Sequence, residues 1–138
     1  MDNKDLIGKI KALNFSVGEY AVVGSAVLEV LGIKKSKDTD ILVSDNLFEK
    51  LKLTGKYQQE ERYGKLFLLS DNNVDISNRF FVGNYNPDEK ILINSSFLVE
   101  GVPFVQLEEI IKFKKEIGSE KDLLDIKLIE EYLKTKQK

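Results

Sequence analysis

The sequence contains neither cysteine nor histidine among its 138 residues. Without cysteine, the chain cannot form a disulfide framework, a zinc–thiolate site or a thiol nucleophile. Without histidine, it lacks the most common general base and transition-metal ligand, and no Ser-His triad is possible. Any catalysis must therefore depend on carboxylates, lysines, hydroxyl groups, the backbone or a hard metal ion.

A strong excess of charge of either sign is also missing, because 21 basic and 23 acidic residues leave a net charge of −2. A general binder of nucleic acids or anionic membranes would carry a basic excess. No apolar stretch approaches the roughly 18 residues of a membrane span, and the N-terminus lacks the pattern of a signal peptide. We therefore expect no membrane segment, no general nucleic-acid binding and, by default, a cytoplasmic location.

The length and the 42% hydrophobic content predict one globular domain spanning residues 1–138. Apolar periodicities predict an α/β (α+β) chain with a mixed sheet flanked by helices, two of them C-terminal. Helices are expected over residues 2–15, 25–31, 44–51, 107–117 and 119–134. Strands are expected over residues 20–23, 40–43, 56–59, 63–69, 74–76, 91–93, 97–100 and 102–105.

The stretch from residue 20 to residue 43 carries the main chemical motif. Gly24 lets the backbone approach a ligand closely, and Ser25 begins a helix whose unpaired N–H groups suit a phosphate. Asp38 and Asp40 are two residues apart at a strand start, so alternation places both carboxylates on one side of the sheet. At roughly 4 Å and an effective dielectric of 20, the two charges repel by about 4 kcal/mol. A cation would relieve that repulsion, and Mg²⁺ typically binds one or two carboxylates together with substrate phosphates.

Each of these features also has an ordinary structural interpretation. Gly24 and Ser25 can form a tight turn between a strand and a helix, and Asp38 and Asp40 can be a solvated turn before a strand. Asp75 lies between two apolar strand residues, so alternation predicts that its side chain points to the opposite face from them.

The combined pattern resembles the signature of the nucleotidyltransferase-fold superfamily: Gly24-Ser25, twelve residues, then Asp38-Thr39-Asp40 and an apolar strand. It is most similar to small stand-alone members related to lincosamide and aminoglycoside nucleotidyltransferases and to toxin–antitoxin nucleotidyltransferases. Ser36 matches the Ser/Thr that often stands two residues before the first aspartate. Lys34 or Lys35 replaces the usual arginine beside it.

A second region, near the C-terminus, is similar to another motif of the same family. There, a lysine on a helix is followed by Lys-Asp, two further residues and another Asp. Lys114, Lys121, Asp122 and Asp125 match this pattern, and Ser119 stands where the family often has arginine. Helix capping is the alternative interpretation of Lys121 and Asp122.

The resemblance implies Mg²⁺-dependent transfer of a nucleoside monophosphate from a triphosphate, such as ATP, to a hydroxyl of a small-molecule, protein or RNA acceptor. It implies a third carboxylate on a later strand, for which Asp75 is the candidate and Asp71 the competitor. The implied catalytic and metal-binding residues, which would hold two Mg²⁺ ions with substrate, are Asp38, Asp40 and Asp75. The implied nucleotide-binding residues are Gly24, Ser25, Ser36, Lys114, Lys121 and Asp122. The alternatives are a non-catalytic nucleotide-binding module and one half of a toxin–antitoxin pair with a partner protein.

Overall fold

The structure is a computed structural model that describes residues 4–136. Within that range, the helices are α1 (Lys4–Lys11), α2 (Ser25–Val30), α3 (Asp45–Thr54), α4 (Glu89–Asn94), α5 (Leu107–Ile117) and α6 (Glu120–Lys136). The strands are β1 (Tyr20–Val23), β2 (Thr39–Val43), β3 (Gln58–Arg62), β4 (Lys65–Ser70), β5 (Val74–Ser77), β6 (Phe97–Val99) and β7 (Val102–Phe104).

All seven of these strands form one sheet in the order β3-β4-β5-β2-β1-β7-β6. The pairs β2–β5 and β1–β7 are parallel, and the other four pairs are antiparallel. This confirms the predicted α/β architecture with a mixed sheet and two C-terminal helices. The middle strands β1 and β2 are buried almost throughout, as expected for strands covered on both faces.

Capping residues set several element boundaries where the sequence predicted them. Ser44 accepts a hydrogen bond from the backbone N–H of Leu47 at 3.1 Å, which fixes the start of α3. Gly118 adopts the left-handed conformation at φ 69° and ends α5. Ser119 accepts a hydrogen bond from the N–H of Asp122 at 3.2 Å and begins α6, as a helix N-cap does.

The segment at 91–93 was predicted as a strand, and this prediction is wrong. These residues lie in α4, because Asp88 accepts hydrogen bonds from the N–H groups of Lys90 and Ile91 and caps a helix there. A three-residue apolar run is too short for its periodicity to separate strand from helix. Ile117 lies seven residues after the buried Ile110, a spacing that favours the same side of α5, but it is 47% exposed at the end of the helix.

Two further boundaries differ from the prediction. The expected strand at 56–59 is displaced to β3 (Gln58–Arg62), and the expected strand at 63–69 begins only at Lys65. The reason is a tight turn at Tyr63 and Gly64, both with positive φ, which joins β3 and β4 into a hairpin. Helix α1 ends at Lys11, earlier than the expected residue 15, and Asp2, where the helix was expected to begin, lies outside the described residues.

The hydrophobic core is contributed by β1, β2, β4, β5 and β7 and by the helices packed on them, whereas the edge strand β3 is largely exposed. Among residues 4–136, no helix has both the length and the apolar character that crossing a membrane requires. This agrees with the absence of long apolar runs from the sequence.

Candidate functional site

The pairing of β2 with β5 brings two of the predicted carboxylates together. The strands are parallel, and Asp40 is the direct register neighbour of Asp75. Side chains at paired positions point to the same face of a sheet. Asp75 therefore points away from the buried Val74 and Ile76, as alternation predicted, but toward Asp40 rather than toward open solvent.

The electrostatic environment of Asp40 is unfavourable for its charged form. Burial and the negative charges of Asp75 and Asp38 raise the pKa of this carboxyl from 3.8 to about 6, and Arg62 acts in the opposite direction. Within residues 4–136, no hydrogen bond or ion pair reaches the Asp40 carboxylate. The site therefore holds a negative charge that the chain's own groups do not neutralise.

The absence of a side chain at Gly24 leaves space for the Asp40 carboxylate. Its backbone lies at φ 72° and ψ −151°, a region that essentially only glycine occupies. A Cβ built at Gly24 would lie 2.9 Å from Oδ2 of Asp40. Any other residue here would therefore strain the backbone and press on the carboxylate. The neighbour that a Cβ would meet is Asp40, and the close approach of Gly24 to a ligand stays a prediction.

Arg62 is a neighbour of the site that the sequence analysis did not single out. Its Nη1 lies 3.0 Å from Oδ2 of Asp75, and its guanidinium carbon is 5.4 Å from the ring centre of Phe67. Glu60 binds the same guanidinium through Nε at 2.8 Å. The tight turn at Gly64 was the sequence signal, because it folds β3 back along β4, and from there Arg62 reaches Asp75 on the next strand, β5.

A cavity of about 300 Å³ lies on the other side of Asp40. It is lined by Ser25, by both aspartates of the Asp-x-Asp motif and by four lysines: Lys34, Lys35, Lys37 and Lys121. Lysines outnumber the aspartates, so the cavity suits an anion that also brings a cation to the carboxylates. Ser25, Asp38, Asp40 and Lys121, which belong to the two separated motifs, thus line one cavity.

Ser36 lines the same cavity, but its hydrogen-bonding groups are already engaged. Its N–H and its hydroxyl both donate to Oε1 of Glu29, at 2.8 and 2.9 Å. This pair ties the loop before Asp38 to α2. We infer that Ser36 positions the aspartates, and direct contact with a nucleotide stays a prediction.

The carboxylates fit a hard divalent cation in their chemistry. No cation among residues 4–136 forms an ion pair with Asp40, and its neighbours Asp38 and Asp75 carry the same charge, so a bound Mg²⁺ would relieve the repulsion. Within residues 4–136, no group of three or more acidic, cysteine or histidine side chains already surrounds a metal position. That is compatible with Mg²⁺, which usually takes one or two carboxylates and completes its shell with water and substrate phosphates.

Lys114 and the two aspartates of the C-terminal motif form a separate buried cluster. Nζ of Lys114 lies 3.0 Å from Oδ2 of Asp125 and 3.3 Å from Oδ1 of Asp122, and Lys34 binds Oδ1 of Asp125 at 2.8 Å. Burial acts to raise the pKa of Asp125, but the hydrogen bonds from Lys34 and Lys114 outweigh it and hold that pKa below its usual value. The cluster joins α5, α6 and the loop that carries Lys34.

The ammonium of Lys114 is therefore bound by the carboxylates of Asp122 and Asp125 and does not face an open cavity. It is only 7% exposed, as its position beside Ile110 predicted, but its ammonium is directed toward α6. Lys121 instead lines the cavity at Asp40, so the structure divides the C-terminal motif. A direct contact between Lys114 and phosphate stays a prediction.

Lys114→Met is expected to lower the free energy of unfolding by about 2 kcal/mol, the usual worth of hydrogen bonds to a charged group. Methionine keeps the packing of the stem but leaves Asp125 with Lys34 alone. The measurement is urea unfolding, with Lys112→Met as the control on the same helix, since Lys112 makes only an exposed ion pair. Unchanged stability combined with weaker triphosphate binding would contradict a structural role.

Comparisons with known proteins leave the family open. No protein-family model matches the chain, and neither the curated proteins nor the solved structures yielded a match. The likeness to nucleotidyltransferases therefore rests on the two sequence motifs.

Proposed function

We propose that the protein is a nucleotidyltransferase that moves a nucleoside monophosphate from a triphosphate to a hydroxyl group. The observation that carries the proposal is the position of Asp40. Its carboxylate lies between Asp75 and Asp38, has no cationic partner among residues 4–136, and borders a lysine-lined cavity.

The proposed substrate arrangement follows from the charges around Asp40. The triphosphate lies in the cavity with Ser25, Lys35, Lys37 and Lys121, whose charges complement phosphate oxygens. Asp38 and Asp40, with Asp75, would hold Mg²⁺. The ion, when bound, supplies neutralisation of the phosphate charge that builds up during transfer. The proposal also assigns the chain to the nucleotidyltransferase fold, in which the mixed sheet carries these carboxylates.

The proposed reaction is an in-line displacement at the α-phosphorus. The acceptor oxygen forms a bond to this phosphorus, and the bond from phosphorus to the α–β bridging oxygen breaks. Pyrophosphate leaves with that electron pair, and the hydroxyl proton passes to Asp75, the candidate base in a chain without histidine. Arg62 binds Oδ2 of Asp75, so the proton passes either to Oδ1 or to Oδ2 after Arg62 has moved away.

The ion pair between Arg62 and Asp75 favours one alternative, a non-catalytic nucleotide-binding module. A guanidinium fixed on the third carboxylate would leave Asp38 and Asp40 able to bind a metal–nucleotide complex without a base for transfer. In that case nucleotide binding persists and pyrophosphate is never released. An interaction role in a toxin–antitoxin pair predicts neither nucleotide binding nor pyrophosphate release.

The first test is a thermal melt with Mg²⁺ and each of the four nucleoside triphosphates. At 100 times the dissociation constant, the ligand should raise the free energy of unfolding by about 2.7 kcal/mol. Mg²⁺ or nucleotide alone should give a smaller shift, because the proposed site needs both to balance its charges. A melting temperature unchanged by all four Mg²⁺–triphosphate mixtures would overturn the proposal.

A further inference from the structure

Lys65 is a buried cation whose charge has no anionic partner among residues 4–136. It is the first residue of β4 and only 8% exposed. No hydrogen bond or ion pair reaches its ammonium within the described range, and burial lowers its pKa while the more distant Glu89 acts to raise it. Glu89 itself accepts a hydrogen bond from the backbone N–H of Phe80 at 3.0 Å.

The ammonium of Lys65 instead lies against two aromatic rings. Nζ is 4.7 Å from the ring centre of Phe81 and 5.6 Å from that of Phe113. Cation–π contacts of this kind recover part of the lost hydration but leave all three N–H donors unused. A buried charge without an anion is costly, and its donors are available to a ligand.

Two cavities meet at this lysine. One, of about 210 Å³, extends from Lys65 past Phe67 and Phe80 to Asp40 and Asp75. The other, of about 520 Å³, is lined chiefly by Tyr63, Phe81, Val82, Phe113 and Ile117, with Lys65 on its wall. Cavities of this size accommodate small organic molecules.

The two cavities together form one cleft, whose walls include several aromatic rings. The rings of Phe80 and Phe113 stack at 4.5 Å, and Tyr63 stands 88% exposed at the rim of both cavities. Arg79 also lines the smaller cavity, but its guanidinium is bound to Asp45. The cleft therefore combines aromatic surfaces with the unpaired positive charge of Lys65, while the carboxylates of Asp40 and Asp75 also line the smaller cavity.

We propose that this cleft binds an aromatic molecule that carries one negative charge, held by Lys65 with its rings against Phe113 and Tyr63. The cleft reaches Asp75, so the bound molecule would be placed as the hydroxyl-bearing acceptor, an identification that rests on the proposed function. The binding of an aromatic anion in the cleft does not depend on the proposed function. A polycationic acceptor would meet repulsion from Lys65.

The experiment compares two fluorescent probes that share a ring skeleton and differ in charge. 8-Anilinonaphthalene-1-sulfonate carries one negative charge, and N-phenyl-1-naphthylamine carries none. Both are titrated into the full chain in the absence of nucleotide. We expect the sulfonate to bind about tenfold or more tightly than the neutral probe, because charge-assisted hydrogen bonds to Lys65 are available only to it.

Lys65→Met should remove this preference, with at least a tenfold loss of sulfonate affinity and less than a twofold change for the neutral probe. Lys65→Arg should retain the preference, so a failure of the methionine variant to fold would still leave a test. Lys56→Met is the matched control, since Lys56 is exposed and lines neither cavity.

Equal affinity of the wild type for both probes would overturn the proposal, as would equal losses of both probes in Lys65→Met. Displacement of the sulfonate by Mg²⁺–ATP would also overturn it, since the cleft would then belong to the nucleotide. Absence of nucleotidyl transfer would leave all of these binding results unchanged, so the two proposals fail separately.

Discussion

Asp40→Asn is expected to stabilise the protein in the absence of divalent cations by as much as about 3 kcal/mol at neutral pH. The folded chain raises the pKa of this carboxyl from 3.8 to about 6, and each pKa unit corresponds to about 1.4 kcal/mol. Above pH 6 the folded state must hold the charged form against burial and against Asp75 and Asp38. Asparagine has nearly the same shape and carries no charge, so it removes that cost.

The sign of the pH dependence follows from linkage. Below pH 4, Asp40 is protonated in both the folded and the unfolded chain, so it contributes no difference. Between about pH 4 and pH 6 the unfolded chain loses the proton while the folded chain keeps it, and stability falls as the pH rises. The stabilisation by Asp40→Asn should therefore be absent near pH 4, grow through this window and level off above pH 6.

Urea unfolding in EDTA at pH 4, 5, 6, 7 and 8 measures this effect. Asp38→Asn is the control, because its carboxylate is exposed and its substitution should change stability far less. In the presence of Mg²⁺ and triphosphate, Asp40→Asn should lose the ligand-dependent stabilisation. Marked destabilisation of Asp40→Asn at pH 7 without metal would show that the carboxylate serves local hydrogen bonds instead.

The sequence predicted the parts of the site that depend on local pattern. Strand, Gly-Ser, helix and Asp-x-Asp follow one another within residues 20–43, although β2 begins at Thr39, so strand alternation applies to Asp40 and not to Asp38. The cap at Ser44 and the helix end at Gly118 are likewise local, since each depends on a few adjacent residues.

The parts of the site that no local pattern encodes depend on which strands become neighbours. The family resemblance implied that Asp75 lies beside the Asp-x-Asp strand, and the pairing itself comes from the parallel register of β2 and β5. The approach of Arg62 to Asp75 requires the hairpin at Gly64 and the placing of β4 beside β5. A lysine in a strand, such as Lys65, is read as solvated until the packing of Phe81 and Phe113 around it is known.

The position of Asp75 bears directly on whether this carboxylate can act as a catalytic base. Binding of a metal–triphosphate complex requires only the Asp38–Asp40 pair and the lysine-lined cavity. Transfer also requires a base beside the acceptor hydroxyl, and Asp75 is the carboxylate that faces both Asp40 and the apolar cleft. In the structure, Arg62 holds that carboxylate at 3.0 Å.

Asp75→Asn should therefore leave Mg²⁺–triphosphate affinity within a few-fold and lower the rate of pyrophosphate release by roughly 10²–10⁴-fold, the usual contribution of a general base. Asparagine keeps an oxygen for Arg62, so the hairpin should stay in place. Two measurements are made on one preparation of each protein. Calorimetric titration gives the nucleotide affinity, and a pyrophosphate assay, with a cell lysate as the source of acceptor, gives the transfer rate.

Asp71→Asn is the matched control for this substitution, because Asp71 lies exposed in the turn between β4 and β5. Its transfer rate should equal that of the wild type. If Asp75→Asn transfers as well as the wild type and Asp71→Asn does not, Asp71 is the third carboxylate. If the wild type binds nucleotide and never releases pyrophosphate, the ion pair with Arg62 marks a nucleotide-binding module. Arg62→Met then becomes the decisive variant, since it frees Asp75 and should restore release only if Arg62 alone blocks a catalytic base.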